Sequence, residues 1–363
     1  MKTIHVLGSR QYGGADRFYV RLVEALNAAG HEALAVNRPG SPVARALAQR
    51  GLRQVALPFA NKWDVTTTLR LARLVTRERP VAVQTYMGRA TRLTRIPRRS
   101  AAVHVARLGG YYKIRGYYEH CDAWVGNTRG VCDYLVREGL PADRVFHVGN
   151  FVPEARAVDA DELATLRVEL SMPADALVLF TLGRFIDIKG FDDLLEAFAL
   201  LPRAYAGRPL HLVIVGDGPL AASLRAVCER LDLTGRVHWP GWRDDPEPFF
   251  GLADVFVCPS RHETLGNVIL EAWNHGLPVV STTTPGALEI VTDGEDGLLC
   301  PVGDPRQLAA RLRTMLELSA RDRAALASAG GRTLRAAHGQ EAVVADYLSL
   351  YDQLTRIGRR QRR

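Results

Sequence analysis

Two glutamates, Glu263 and Glu271, stand on either side of a predicted helix start. The apolar run 254–258 has the length of a strand, Pro259 ends it, and Gly266 to Trp273 is typical of a helix opening. Free backbone N–H groups at such a helix start bind anions. Carboxylates on both sides could accept hydrogen bonds from sugar and ribose hydroxyls. The spacing suits a nucleotide sugar, although two glutamates could also simply keep a surface helix soluble.

A second group of candidate residues lies in the loop 183–190, between a predicted strand at 177–182 and a predicted helix at 191–199. The loop carries two cations, Arg184 and Lys189. Ligands bind at the carboxyl ends of strands in open α/β sheets. Two cations there would neutralise a diphosphate leaving group, and each charge-assisted bond contributes about 1.5–3 kcal/mol. The alternative is an exposed loop with two unrelated cations.

The amino terminus has the order strand, glycine-bearing loop, helix, strand, with strands predicted at 3–7 and 32–37. Gly13 and Gly14 in the loop would allow a ligand to approach the backbone, and the helix start favours an anion. The G-x-G-x-x-G spacing is absent, so a dinucleotide fingerprint is not supported. A tight turn that needs glycine remains the simpler interpretation.

Further strands are predicted at 82–85, 101–105, 123–126, 145–148, 210–215 and 278–281, with helices between them, and residues from 305 onward are predicted to be helical. This alternation is typical of α/β folds with parallel sheets. A chain of 363 residues is long enough for two domains. We expect domains at 1–155 and 156–335, and a helical segment at 336–363 that ends in the basic tail 359–363.

Composition and charge narrow the class of protein. The chain is 47% hydrophobic and 24% charged, as in soluble globular proteins, and no apolar run is long enough to span a membrane. Five scattered cysteines without a CxxC pair favour a reducing cytosol and disfavour a disulfide framework or a zinc site. Residues 1–150 carry 24 Lys and Arg against 10 Asp and Glu, whereas residues 151–330 carry 16 against 26. The first half is therefore expected to face an anionic partner.

An arginine-rich segment, residues 89–115, carries much of this positive charge. It contains eight cations and is accompanied by four tyrosines: Arg89, Arg92, Arg95, Arg98, Arg99, Arg107, Lys113, Arg115, Tyr111, Tyr112, Tyr117 and Tyr118. Such a mixture suits an anionic membrane surface, a phosphorylated acceptor or stacked nucleic-acid bases, and a solvated face is the remaining alternative. No helix-turn-helix, RNA-binding aromatic motif or zinc pattern is present, so we expect no nucleic-acid partner.

Asp159 and Asp161 match, letter for letter, a metal-binding D-x-D motif of some sugar transferases. They also stand where the acidic first turn of a helix running to about residue 170 is predicted, and carboxylates there complement the helix dipole. We therefore expect no metal at these residues.

Taken together, the motifs resemble the family-4 retaining glycosyltransferases of the GT-B fold. The resemblance runs in family order from residue 12 to about residue 300, and no single motif decides it. The matching stretches are 12–16, 183–190, 216–219, 240–241, 259–260 with Glu263 to Glu271, and 294–297.

The resemblance implies an α/β protein with two Rossmann-like domains whose parallel sheets face each other across a cleft. The first domain would bind the acceptor, the second the nucleotide sugar, and the last helix would cross back to the first. It assigns catalytic roles to Arg184, Lys189 and Glu263. The residues that it places at the donor are Gly13, Gly14, Arg184, Lys189, Thr264, Leu265, Gly266, Asn267 and Glu271.

The function implied is transfer of a sugar with retention of configuration, with no metal or other cofactor. We expect a nucleotide-sugar donor, with a UDP-sugar favoured, and a lipid-linked or polysaccharide acceptor in lipopolysaccharide core or other surface-glycan synthesis. The arginine-rich segment favours a cytoplasmic enzyme bound peripherally to the anionic inner face of the membrane. A nucleotide-sugar 2-epimerase of the same fold is the alternative. Neither 84–89 nor 107–111 contains the histidine that many members have, so no acceptor residue is assigned.

Overall fold

The computed structural model describes residues 1–361 and divides the chain into two compact units. One unit comprises Met1–Pro153 with Ala337–Arg363, and the other comprises Glu154–Ala336. The boundaries expected after 155 and 335 lie within two residues of these. The basic tail expected at 359–363 lies outside the side chains that the structure describes.

The first unit contains a seven-stranded parallel sheet with the strand order β3-β2-β1-β4-β5-β6-β7. Its strands are β1 Lys2–Leu7, β2 Glu32–Asn37, β3 Gln54–Ala56, β4 Ala82–Tyr86, β5 Val103–Leu108, β6 Ala123–Gly126 and β7 Val145–His147. Its helices are α1 Gly14–Ala28, α2 Pro42–Gln49, α3 Val65–Glu78, α4 Met87–Leu93, α5 Arg129–Arg137 and a short 3-10 turn at Ala142–Arg144. The central strands are buried on both faces, which explains their continuous apolar runs.

The second unit has a parallel sheet with the order β11-β10-β8-β12-β13-β14, and β9 pairs antiparallel with β10. Its strands are β8 Leu177–Leu182, β9 Ala204–Tyr205, β10 Arg208–Val215, β11 Val237–Gly241, β12 Val255–Cys258, β13 Val279–Thr282 and β14 Leu298–Cys300. Its helices are α6 Ala160–Glu169, α7 Phe191–Ala199, α8 Ala221–Arg230, α9 Glu247–Leu252, α10 Asn267–Asn274, α11 Pro285–Ile290 and α12 Pro305–Glu317, with a 3-10 turn at Asp187–Lys189.

Two further helices complete the chain, α13 Ala320–His338 and α14 Gln340–Gln361. The last helix packs on the first unit, where its buried aromatic side chain Tyr347 lies against Phe18 of α1. Within residues 1–361, no helix combines the length and the apolar character that crossing a bilayer requires.

A buried chain of hydrogen bonds joins α14 to the centre of the first sheet. The Tyr351 hydroxyl donates to the Gln84 side chain at 2.7 Å, and the Gln84 amide donates to the Tyr86 hydroxyl at 2.7 Å. Tyr86 lies 3.0 Å from Nδ1 of His5, whose Nε2 lies 3.0 Å from the Thr3 hydroxyl. The Tyr86 hydroxyl can donate its proton to Nδ1 of His5. Every hydrogen bond in this series therefore forms when His5 is neutral and carries its proton on Nε2.

The arginine-rich segment does not form one surface, contrary to the expectation that it acts as a single basic cluster. All strands of this sheet are parallel, so α4 leads from its carboxyl edge back to its amino edge. Arg98 and Arg99 lie in the loop that leads into β5 and are exposed near the amino edge, whereas Arg89 follows the end of β4 at the carboxyl edge. Arg107 is buried, with its guanidinium 4.1 Å from the ring centre of Phe18. Residues that are close in sequence are thus separated by the fold.

The burial of His5 generates a prediction about stability. Burial lowers the pKa of His5 to about 3, from an ordinary value of 6.5. The unfolded chain therefore takes up a proton below pH 6.5 that the folded chain refuses until about pH 3, so stability falls as the pH falls through this window. We expect His5→Asn to make the slope of unfolding free energy against pH shallower by up to about 1.4 kcal/mol per pH unit. Urea unfolding between pH 7 and pH 5 measures both slopes, and parallel slopes would show that folding does not lower the pKa of His5.

Candidate functional site

The candidate site residues of the second unit follow two neighbouring strands. β8 pairs with β12 in parallel, so the loops after both strands leave the same edge of the sheet. The loop after β8 carries Arg184 and Lys189, and the turn after β12 carries Glu263. The structure therefore brings together the two loops that the sequence had singled out separately.

Close backbone contact holds the two loops together. A Cβ atom on Gly190, which has a φ of 62°, would overlap the carbonyl oxygen of Pro259, so only glycine fits there. The backbone N–H of Arg261 donates to the carbonyl of Ile188 at 2.8 Å. These contacts leave Lys189 directly beside the turn that carries Glu263.

Lys189 and Glu263 form an ion pair through Nζ and Oε1, and their side chains are only 19% and 15% exposed. Ser260 Oγ donates a second hydrogen bond to the same carboxylate oxygen at 2.9 Å. Burial alone would lower the pKa of Lys189, but the charge and the hydrogen bond of Glu263 outweigh it, so the pKa lies above its usual value. The ammonium is therefore charged, and it is held in place without a ligand.

The remaining donor residues predicted in the second unit follow Glu263 in the chain. Thr264 and Leu265 lead to Gly266, which precedes α10 with a φ of 85°. Gly266 is the N-cap residue and has no side chain with which to cap the helix. Asn267 begins α10 and Glu271 lies one turn further along it, close enough that its charge raises the pKa of Lys189.

Arg184 differs from Lys189 in its surroundings. Its side chain is exposed, and among residues 1–361 it makes no ion pair with a carboxylate. The loop thus offers one cation already engaged with Glu263 and one that is available to an anion.

Gly13 and Gly14 lie in the first unit, at the start of α1. The Gly13 N–H donates to the Asp16 carboxylate at 2.8 Å, so this helix start already has an acidic cap. Burial raises the pKa of Asp16 above its usual value. The role of the two glycines in donor binding stays a prediction.

Arg261 is a residue that the sequence reasoning missed. Its guanidinium donates to the carboxylates of Asp187 at 2.9 Å, Asp192 at 2.8 Å and Asp193 at 2.7 Å. These three acids belong to the Lys189 loop and to the first turn of α7, so Arg261 joins that segment to the Glu263 turn. The feature of the sequence that could have indicated a role for Arg261 is the group of three acids in and after a loop that is predicted to bind an anion.

The D-x-D residues serve their helix, as expected. Asp159 caps α6 by accepting from the Glu162 N–H at 2.7 Å, and Asp161 lies in the first turn. In the first unit, ligand atoms of His104, His120 and Cys121 come within 4.8 Å of one another. His120 Nε2, however, lies 3.0 and 3.1 Å from the carbonyls of Thr91 and Thr94 and so satisfies the end of α4.

The fold and the site together define the class of protein. Two Rossmann-like units with parallel sheets are the architecture of the GT-B fold, and the second carries cations, carboxylates and a helix start with a glycine N-cap at the carboxyl edge of its sheet.

Comparison with known proteins agrees with this class. The sequence model of the family described as "Glycosyl transferases group 1" matches residues 176–318. The chain is 36% identical over 340 residues to lipopolysaccharide core biosynthesis glycosyltransferase LpsE of Rhizobium meliloti, covering 93% of this chain and 95% of that protein. It is 32% identical over 361 residues to LpsD of the same organism, covering 97% and 98%.

Solved structures share the fold at lower identity. Anabaena Alr3699/HepE in complex with UDP and glucose superposes with a TM-score of 0.80 at 19% identity, covering 97% of this chain and 100% of that one. WaaG, a glycosyltransferase involved in lipopolysaccharide biosynthesis, gives 0.70 at 17% identity, covering 96% and 99%. The chain belongs to the glycosyl transferases group 1 family and is a glycosyltransferase, as the resemblance predicted.

The ion pairs of Arg261 generate a prediction about catalysis. Replacing it by glutamine leaves three carboxylates without their shared cation and frees the Lys189 loop, so the cations lose their fixed positions. We expect Arg261→Gln to lower turnover of the nucleotide-sugar donor by about 10²-fold, the cost of a small misplacement.

A second set of substitutions distinguishes a positioning role of Arg261 from a role in folding stability alone. Asp192→Asn combined with Asp193→Asn removes the excess negative charge, so adding this pair to Arg261→Gln should restore part of the turnover. Steady-state kinetics of Arg261→Gln, of Asp192→Asn/Asp193→Asn and of the triple variant measures the coupling between Arg261 and these acids. The melting temperature of each free protein serves as the control. Unchanged turnover in a folded Arg261→Gln variant would contradict the positioning role.

Proposed function

We propose that this glycosyltransferase moves a sugar from a UDP-sugar to a saccharide acceptor, with retention of anomeric configuration and without a bound metal. The observation that carries the proposal is the Lys189–Glu263 pair in the loops before α10, a helix whose N-cap is a glycine, with Arg184 exposed in the same loop as Lys189. A helix start and two cations fit a diphosphate, and a carboxylate on either side fits sugar and ribose hydroxyls.

Donor binding would rearrange the ion pair. The diphosphate would sit at the start of α10 between Arg184 and Lys189, with the amides of residues 264–267 near sugar and phosphate. Lys189 would then share its charge between Glu263 and phosphate, and Glu263 would turn its accepting capacity to sugar hydroxyls. Glu271, one turn into the helix, would accept from the ribose hydroxyls.

The chemistry follows from these positions. The bond between the anomeric carbon and the β-phosphate oxygen breaks, and negative charge grows on the departing phosphate. The acceptor hydroxyl attacks from the same face, and its proton passes to that phosphate oxygen. Glu263 is engaged by Lys189 and Ser260, so it suits electrostatic support better than covalent attack. Catalysis is then chiefly stabilisation of the leaving group by Arg184 and Lys189, plus positioning.

The relatives support the acceptor class. LpsE and LpsD, which are similar to this chain over nearly its full length, are lipopolysaccharide core glycosyltransferases. HepE, a protein of this fold whose structure contains UDP, supports the proposed donor instead. We propose a lipid-linked core oligosaccharide or a related surface glycan as acceptor. The enzyme would work on the cytoplasmic face of the inner membrane, held there peripherally.

Steady-state kinetics can test the different roles that we propose for the donor-binding residues. A ribose contact is equal in ground and transition states, so Glu271→Ala should raise KM roughly tenfold and leave kcat nearly unchanged. Charge on the diphosphate grows as the bond breaks, so Arg184→Ala and Lys189→Ala should lower kcat by about 10²-fold. Arg230→Ala, which removes an exposed cation of α8, serves as the control. An unchanged KM in Glu271→Ala would contradict the ribose assignment.

The reaction itself is tested by following donor and product together. UDP should raise the melting temperature more than GDP or ADP, because only a ligand that binds the folded form stabilises it. Labelled UDP-sugars with a lipid-linked oligosaccharide extract should yield a conjugate whose new linkage keeps the anomeric configuration of the donor. Turnover that gives only an epimerised nucleotide sugar would replace the proposal by the epimerase alternative.

A further inference from the structure

Three large apolar side chains are exposed together where the first unit enters α3. Trp63 is 66% exposed, Val65 66% and Leu69 53%. Val65 and Leu69 are four residues apart on one helix, so they share the face opposite the buried residues Leu71 and Leu74. With the exposed cations Lys62, Arg70 and Arg73 they make up the surface that we call the α3 patch.

Trp63, the largest apolar side chain of the patch, is held in place by Arg92. The guanidinium of Arg92 lies 4.2 Å from the ring centre of Trp63 and 5.6 Å from that of Tyr117. It also donates to the carbonyls of Lys62 at 3.1 Å and Gly116 at 2.6 Å. Arg92 therefore joins the loop before α3 to the loop after β5 and fixes the tryptophan at the surface.

The charge around the patch is of one sign. Between residues 62 and 77 the sequence has four cations and a single acid, Asp64, and Arg77 pairs with the adjacent Glu78 at 2.9 Å. The Asp64 carboxylate is turned inward, accepting from the N–H of Thr67 at 2.9 Å and from that of Ala60 at 2.9 Å. Arg70 and Arg73 make no ion pair within the residues that the structure describes. The patch thus presents apolar groups among the exposed cations Lys62, Arg70 and Arg73.

We propose that the α3 patch inserts into an anionic lipid bilayer, with Trp63, Val65 and Leu69 in the headgroup region and Lys62, Arg70 and Arg73 against lipid phosphates. Tryptophan favours the membrane interface, and exposed apolar residues flanked by lysine and arginine are what a peripheral surface needs. Valine and leucine side chains offer nothing to a sugar, which disfavours an acceptor glycan as the occupant. The inference rests on the proposed lipid-linked acceptor.

The position of the patch agrees with this use. Residues 57–64 follow β3 and lead into α3, so the patch begins at the carboxyl edge of the first sheet. In parallel α/β sheets this edge is where ligands bind. An insertion surface that begins there would let a lipid-anchored acceptor reach the edge without leaving the bilayer. Arg98 and Arg99, at the amino edge, would take no part.

Vesicle partitioning tests the proposal with matched controls. The variant Trp63→Ser/Leu69→Ser removes two exposed apolar groups, and the control Trp242→Ser/Leu288→Ser removes two from the second unit that are 54% and 59% exposed. On vesicles of phosphatidylcholine with phosphatidylglycerol, the first variant should partition at least about tenfold more weakly than wild type. The control variant should partition as wild type does.

The cations are tested in the same assay. Arg70→Gln/Arg73→Gln should weaken partitioning by about fivefold for each charge removed. Arg98→Gln/Arg99→Gln removes the same net charge at the opposite edge and should have little effect. Equal losses in both pairs would mean that net charge alone drives binding and would overturn the patch.

Two further outcomes would also overturn it. One is wild-type partitioning by Trp63→Ser/Leu69→Ser, and the other is a rise in KM for a delipidated acceptor in that variant without vesicles, which would make Trp63 a sugar contact. Stabilisation by UDP is measured on every variant and should be unchanged. If UDP stabilises the wild type and vesicles do not bind it, only the patch fails, whereas loss of UDP stabilisation in the wild type counts against the proposed function.

Discussion

The ion pair between Lys189 and Glu263 is the interaction on which the candidate site depends. Both side chains are largely buried, and removing one partner of a buried pair typically costs about 3–5 kcal/mol because the other charge is left unpaired. Two loops that follow neighbouring parallel strands must therefore stay in contact. Gly190 permits the contact, because any side chain there would meet the Pro259 carbonyl.

The surrounding groups keep this pair in one geometry. Arg261 binds three carboxylates of the opposite loop, and Ser260 donates to the oxygen that Lys189 also contacts. Such a network holds cations at fixed positions before a ligand arrives, which is how an enzyme stabilises developing charge without reorganising at the moment of reaction. The exposed Arg184 completes the arrangement, because its guanidinium makes no ion pair with a carboxylate in the part of the chain that the structure describes.

Much of the fold could be predicted because buried parallel strands are continuous apolar runs. The strands at 32–37, 123–126 and 177–182 were predicted with the observed bounds. The strands β3, β9, β11 and β14 were not predicted. β3 and β14 have three residues each and β9 has two, too little pattern to distinguish them from loops. The strand predicted at 101–105 is found at Val103–Leu108 and includes the buried Arg107. The helical region after 305 proved to be three helices.

The site was predicted as two separate groups, and only the fold shows that they touch. Arg261 was missed because its partners lie about 70 residues earlier in the chain, a distance at which spacing carries no information. The sequence predicts one surface for the arginine-rich segment because its residues are neighbours along the chain. The parallel topology then sends Arg89 to one edge of the sheet and Arg99 to the other, while burying Arg107.

The central claim is that the diphosphate of the donor binds between the Lys189 loop and the start of α10. Hydrogen–deuterium exchange of the full chain, with and without UDP, tests it most directly because exchange reports each backbone N–H by segment. The account predicts slower exchange on adding UDP in peptides covering residues 183–190 and 259–271 of the second unit. Unchanged exchange in both segments, with protection elsewhere in the chain, would contradict it.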